Sequence, residues 1–135
     1  MQQKSELCQF KLKASRDALE VIQGKWRIPI IISLSHCNRR FGEIQRDIAD
    51  ISPKMLSQEL KMLEGYNILT RTLYDSMPIT VEYALTPLGH SLNNLLTALL
   101  DWGLHFRETI IGKKSIEHQT VASIEPEVAT IEFIA

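Results

Sequence analysis

Leu56, Leu60 and Leu63 recur at spacings of four and three, the period of a helix with one buried face. Ser52 suits the N-cap and Pro53 the first helical position, so the pattern predicts a sharply started helix of about four turns, at ~3.6 residues per turn. Gly65 is expected to close it in the left-handed conformation. Lys54, Ser57, Gln58 and Lys61 take the opposite, polar side and are expected to face solvent together. Just before this stretch, residues 40–48 predict a short helix with Phe41, Ile44 and Ile48 inside. Only Ala49-Asp50-Ile51 joins the two, and two helices linked that tightly over one core predict a helix-turn-helix.

The remaining pattern fills in around this pair. Residues 1–14 are polar and mixed apart from Leu7, Cys8, Phe10 and Leu12, and are expected to form an N-terminal arm. Ser15 is a candidate N-cap for a short helix over 16–22 that stops near Gly24. Trp26, Ile28, Ile30, Ile31, Ile32 and Leu34 make a dense apolar segment with the composition of a strand or a buried helix. A helix entered at Trp26 fits better, because Pro29 is tolerated in a first turn and disrupts a central strand. Residues 36–39 read as a turn. After Gly65 the pattern alternates: 68–74 and 81–85 predict two strands, with a turn at 75–80, and so a β-hairpin wing.

Thr86 is expected to cap one long helix over 86–110. Its residues Leu88, Leu92, Leu95, Leu99, Trp102 and Phe106 follow alternating spacings of four and three, a coiled-coil-like seam, with Leu96, Leu100 and Leu104 beside it. That is more apolar surface than one small domain covers, so Leu92, Leu95, Leu99, Trp102 and Phe106 are expected to meet a second copy of the chain. Residues 111–135 form a tail in which Val128, Ile131, Phe133 and Ile134 fit either a terminal strand or a disordered end. The expected fold class is mainly α with a small β-hairpin wing, a winged helix-turn-helix over 15–110 with N- and C-terminal dimerisation helices.

Composition narrows the function. The 135 residues are 44% hydrophobic and 23% charged, as in one globular domain. No apolar run approaches the ~20 residues of a membrane span, and no signal peptide is recognisable, so the cytoplasm is the expected location. Cys8, Cys37, His36, His90, His105 and His118 lack metal-ligand spacing. Neither a Gly-rich phosphate loop nor a nucleophile with its base is recognisable, so neither an enzyme nor a metal or cofactor site is expected. The formal net charge is −1, and residues 24–85 hold eight basic residues against seven acidic ones. A DNA-binding surface therefore requires sorting in space, with Arg39, Arg40, Lys54, Lys61 and Arg71 on one face.

Several motifs in fixed order now carry a resemblance. They are Gly24-Lys25-Trp26, Arg40-Phe41-x-Glu43-Ile44, Ile51-Ser52-Pro53-Lys54-x-Leu56 with Leu60 and Leu63, then Arg71, Pro78, Val81-Glu82-Tyr83-x-Leu85-Thr86-x-x-Gly89 and Trp102. Over residues 8–103 the chain resembles the HxlR-type winged helix-turn-helix transcriptional regulators. The resemblance implies a dimeric bacterial or archaeal regulator that binds double-stranded DNA and needs no cofactor to fold. In such an arrangement Ser52 and the amides at its helix start hold a phosphate, Lys54, Ser57, Gln58 and Lys61 face the major groove, and Arg40 and Arg71 flank it on the backbone.

Three positions depart from the family pattern. A cysteine near the N-terminus is often followed by proline in the family and in some members senses oxidants. Here Cys8 is followed by Gln9-Phe10, which leaves Cys8 as a candidate redox sensor or a passive, half-buried thiol. Cys37 stands where a Gly-Pro turn is usual, and Ile79-Thr80 replace an arginine that often precedes the Val-Glu-Tyr strand. The wing is thus expected to carry less charge to the DNA, leaving more to Arg71 and the second helix. The near-neutral chain also permits an alternative, a winged-helix protein-interaction module without sequence-specific DNA binding.

Overall fold

The computed structural model describes residues 2–112, and the expected tail strand lies outside them. Six helices and three strands follow in the order α1 (Gln2–Ile22), α2 (Arg27–His36), β1 (Arg39–Arg40), α3 (Phe41–Ile48), α4 (Pro53–Gly65), β2 (Leu69–Tyr74), β3 (Thr80–Leu85), α5 (Pro87–His90) and α6 (Asn93–Ile111). The strands form one antiparallel sheet in the order β1-β3-β2. Ile30, Ile31, Leu34, Ile44, Leu56, Leu60, Leu63, Leu69 and Leu96 make the innermost layer of a core shared by the helix-turn-helix, the hairpin and the start of α6. The mainly helical winged architecture is therefore as the sequence pattern indicates.

The N-terminal arm is instead helical. No Gly or Pro interrupts residues 2–22, and α1 runs through them as one 21-residue helix. Ser15 does not cap it: Oγ bonds back to the Leu12 carbonyl at 2.8 Å, which satisfies the hydroxyl inside the helix. α1 buries only Ile22 and leaves Leu7, Phe10, Leu12 and Leu19 exposed. Gly24, at φ +90°, turns the chain into α2, where Pro29 sits in the first turn.

Arg27 joins three helices. Its side chain is buried, and Nε donates to Glu59 Oε2 of α4 at 2.9 Å. Nη1 donates to the carbonyls of Glu20 and Val21, two of the acceptors left open at the end of α1. The guanidinium also lies over the Tyr66 ring, whose hydroxyl donates to Glu20 Oε1.

The turn between α3 and α4 places Ala49 and Asp50 at φ +55° and +56°, a region that costs residues with a Cβ on the order of 1 kcal/mol each. Burial of Ile51 offsets this strain, and Gln45 Nε2 donates to the Ile51 carbonyl. Ser52 caps α4 as expected, its Oγ accepting from Met55 N at 3.1 Å. The closure of α4 differs from expectation. Asn67, not Gly65, takes the left-handed conformation at φ +60°, while Ile68 N bonds to Leu63 O and Asn67 N to Glu64 O. The buried pair Leu63 and Ile68 draws this closure two residues downstream.

Two further elements correct the sequence reading. Arg39, expected at the end of a turn, and Arg40, expected to begin a helix, instead form a short strand, with Arg39 opposite Tyr83 and Arg40 opposite Glu82. The long helix after Thr86 is broken at Ser91-Leu92 into α5 and α6. Thr86 Oγ1 donates to the carbonyls of Asn67 and Ile68 and accepts from Gly89 N. A Cβ at Gly89 would overlap the Ile68 carbonyl, so this turn is held flat against the α4–β2 junction. The chain then redirects to bury Asn93 and Leu96.

Arg27→Ala is expected to lose about 3 kcal/mol of stability, the scale for removing one partner of a buried ion pair. Urea denaturation at fixed protein concentration measures it, and a loss below about 1 kcal/mol would mean that Arg27 and Glu59 behave as a solvated surface pair.

Candidate nucleic-acid interface

Helical geometry sorts the polar residues of α4 into two groups. Lys54, Gln58 and Lys61 are exposed and lie within about 60° of one another around the axis, opposite Leu56, Leu60 and Leu63. Ser57 does not share that face. It is half-buried on the flank, because one residue after Leu56 turns the helix by only about 100°. Ser52 is exposed at the helix start with its Oγ accepting from the backbone; the hydroxyl proton is free to donate.

The hairpin brings Arg71 to the same side. Ser57, Lys61 and Arg71 line a cleft of about 320 Å³ with Phe41, Leu60, Glu64 and Tyr83. Arg71 stands opposite Tyr83 in the β2–β3 register, and both line the cleft. Arg40, exposed at the N-cap of α3, is outside this cleft, although its neighbour Phe41 lines it. Phe41, Tyr83 and Glu64 were not expected at the site from sequence, since only strand register and helix packing bring them to one place.

Charge is sorted by pairing as well as by position. Arg39 contacts Glu43 at 3.7 Å and Asp47 at 3.5 Å, and Asp47 also accepts from Ser33 Oγ. Arg39, Asp47 and Ser33 line a larger hollow of about 410 Å³ with Pro29, Ile32, His36 and Ile48, where the cation is already engaged by a carboxylate. Arg39 therefore leaves the expected basic face. Among the described residues, no ion pair joins Arg40, Lys54, Lys61 or Arg71.

These features match known proteins. The family model for HxlR-like helix-turn-helix proteins matches residues 21–110. The chain belongs to the HxlR-like helix-turn-helix family. It is 38% identical over 94 residues to the uncharacterized HTH-type transcriptional regulator YtcD of Bacillus subtilis strain 168, covering 70% of this chain and 75% of YtcD. Among solved structures it is similar to the redox regulator HypR in its reduced form, with a TM-score of 0.69 and 30% identity over 74% of this chain and 99% of HypR. Diamide-treated YodB from B. subtilis is also similar, with a TM-score of 0.61 and 33% identity over 67% of this chain and 90% of YodB. This HxlR-like protein is thus a transcriptional regulator of the helix-turn-helix type, and its relatives are regulators rather than enzymes.

The other candidate residues fall on the outer helices. Leu95, Leu99, Trp102 and Phe106 are exposed along α6, Trp102 by 62%, and the Trp102 and Phe106 rings stack at 5.4 Å. Of the second stripe Leu96 is buried in the body, while Leu100 and Leu104 are half-buried. Leu92 departs from the expected seam: the break before α6 turns it against the core. Cys8 is exposed rather than half-buried, as is Cys37. On the helix of α1, Lys4 and Lys11 stand four residues before and three after Cys8 and share its face, whereas Lys13 points elsewhere. Among the described residues no group of three or more His, Cys, Asp or Glu is placed to hold a metal ion, and no helix is long and apolar enough to cross a membrane.

Proposed function

We propose that this HxlR-like regulator binds an inverted-repeat operator as a homodimer, each protomer laying α4 in a major groove. The observation that carries the reading is the outer face of α4, where Lys54, Gln58 and Lys61 stand exposed. Gln58, at the centre of that face, has the donor and acceptor to pair with an adenine edge. Lys54 and Lys61 flank it as phosphate or guanine contacts, and Arg71 extends the line across the cleft from the wing. Ser52 and the Lys54 amide at the start of α4 hold a further phosphate. Ser57, from the flank, and Arg40, beside α3, act on the backbone at the edges. Such a protein works where the DNA is, in the cytoplasm of a bacterium or archaeon.

A second copy covers the open seam of α6. Leu95, Leu99, Trp102 and Phe106 present an apolar strip too long to be left in water by a regulator that must stay soluble. The two-fold relation sets the α4 helices about one turn of DNA apart, ~34 Å, or a multiple of it.

We further propose that Cys8 makes this binding responsive to oxidants. Its thiol is exposed on the face of α1 that also carries Lys4 and Lys11, open to an oxidant in solvent. Two thiols joined as a disulfide yield two protons and two electrons to the oxidant, and a cross-link through α1 alters the helix that Arg27 fastens to α4. The similarity to HypR, a redox regulator, supports the same reading.

Binding to the DNA upstream of its own gene, measured across a range of salt concentrations, tests each part. Gln58→Ala is expected to relax preference at one base pair by about 1–3 kcal/mol, whereas Lys61→Ala weakens binding to all sequences and lowers the salt slope by about one. Unchanged base preference in Gln58→Ala would remove that residue from the reading surface. Leu99→Asp is expected to sediment as a monomer and to lose operator binding; a dimeric Leu99→Asp protein would place the interface elsewhere. Treatment with a disulfide-forming oxidant is expected to change the affinity of the native protein and leave Cys8→Ser unaffected, and an equal response in both would exclude Cys8 as the sensor.

A further inference from the structure

The wing carries a chemistry that the DNA-binding reading leaves unused. Leu73, Tyr74, Met77 and Ile79 are all exposed, Met77 by 102% and Ile79 by 62%. Between Arg71 and Glu82 the only formal charge is Asp75, and the next basic side chain in the sequence is His90. A hairpin that only tracked phosphates would need cations where this one has aliphatic groups. The placement is ordered. Leu69, Arg71 and Leu73 stand opposite Leu85, Tyr83 and Val81, and Ile79, two residues before Val81, falls on the same face. That face therefore runs from buried Leu69, through Arg71 in the cleft beside Lys61, to Leu73 and Ile79 near the tip. At ~3.3 Å per residue the strand extends about 10 Å from Arg71 to Tyr74, which carries the tip well past the cleft. Ser76 braces the turn, with Oγ donating to the Pro78 carbonyl at 2.7 Å and lying 3.4 Å from Thr80 Oγ1. Met77 is thereby presented outward on a pinned loop.

We propose that the wing tip is an apolar wedge for DNA: Met77, with Ile79 and Leu73 behind it, enters the minor groove beside the major groove held by α4 and opens a base step. This rests on the operator-binding reading of the previous subsection. The partner follows from continuity and chemistry. The apolar tip prolongs the hairpin face that carries Arg71, so whatever α4 and Arg71 hold lies within its reach, and the apolar surface offered there by a duplex is the stacked faces of its bases. Aliphatic wedges of Met, Leu, Ile and Pro partly unstack such steps and bend the duplex toward the major groove by about 20–90°. Pyrimidine–purine steps deform most readily, so the wedge adds a preference for TA or CA at a position that α4 never touches.

The test uses the full-length protein and the duplex it enriches from a random pool. With 2-aminopurine placed in turn at each position, fluorescence is expected to rise at one step per half-site outside the α4 footprint, and circularly permuted fragments are expected to report a bend. Met77→Ser and Ile79→Ser, at exposed positions, are expected to keep native circular dichroism, lose the fluorescence rise and the bend, and bind roughly tenfold more weakly. Lys61→Ala is expected to weaken binding and keep the bend. Straight DNA with unchanged fluorescence, or a bend that survives Met77→Ser, would overturn the wedge while leaving operator binding intact; wing variants that bind and bend as the native protein does would assign the tip to a protein partner instead. If no duplex is enriched even by the native protein, the operator reading fails and the wedge falls with it.

Discussion

A buried guanidinium is costly unless it is paired and hydrogen-bonded, and Arg27 finds its partners by fastening three helices together. Its bond to Glu59 holds α4 from behind, its bonds to Glu20 and Val21 close the end of α1, and its stacking on Tyr66 engages the residue that follows α4. The surface helix and the long outer helix are thus referred to one buried cation. Since α1 is otherwise almost uncovered, this fastening is the main reason its orientation is tied to α4.

The same principle explains how a chain of net charge −1 presents a cationic surface. Glu59 is paired with Arg27, while Glu43 and Asp47 are paired with Arg39. These carboxylates are drawn toward structural arginines and away from Lys54 and Lys61. What the sum of charges conceals, pairing sorts: two arginines serve the fold, and the lysines of α4 with Arg71 are left for a partner.

Exposure divides the molecule into a finished part and an unfinished one. The helix-turn-helix, sheet and α5 turn are closed by Leu56, Leu60, Leu63, Leu69 and Leu96, by the Thr86 hydroxyl and by the close approach of Gly89. Outside that body, α1, the seam of α6 and the wing tip carry Phe10, Trp102, Phe106 and Met77 into solvent. Each of these surfaces gains by being covered, and each has a different chemistry: mixed apolar and basic on α1, a leucine and aromatic strip on α6, an apolar tip without cations on the wing.

Local pattern determined the elements that carry their own signals. Ser52-Pro53 started α4, the four-three spacing of leucines set its buried face, and alternation after Gly65 gave the hairpin, because caps, periodicity and turns act over a few residues. The outer positions of Lys54, Gln58 and Lys61 followed from that face alone. Tertiary structure decided the rest. It joined residues 2–22 into one helix, moved the left-handed residue after α4 from Gly65 to Asn67, broke the last helix at Ser91-Leu92, and turned Arg39 into a strand and ion-pair residue. It also placed Phe41, Tyr83 and Arg71 around one cleft with Lys61. In each case the deciding contact joins residues distant in sequence, or buries a group such as Ile68 or Leu96 whose gain outweighs a local preference, and no short window of the chain contains that information.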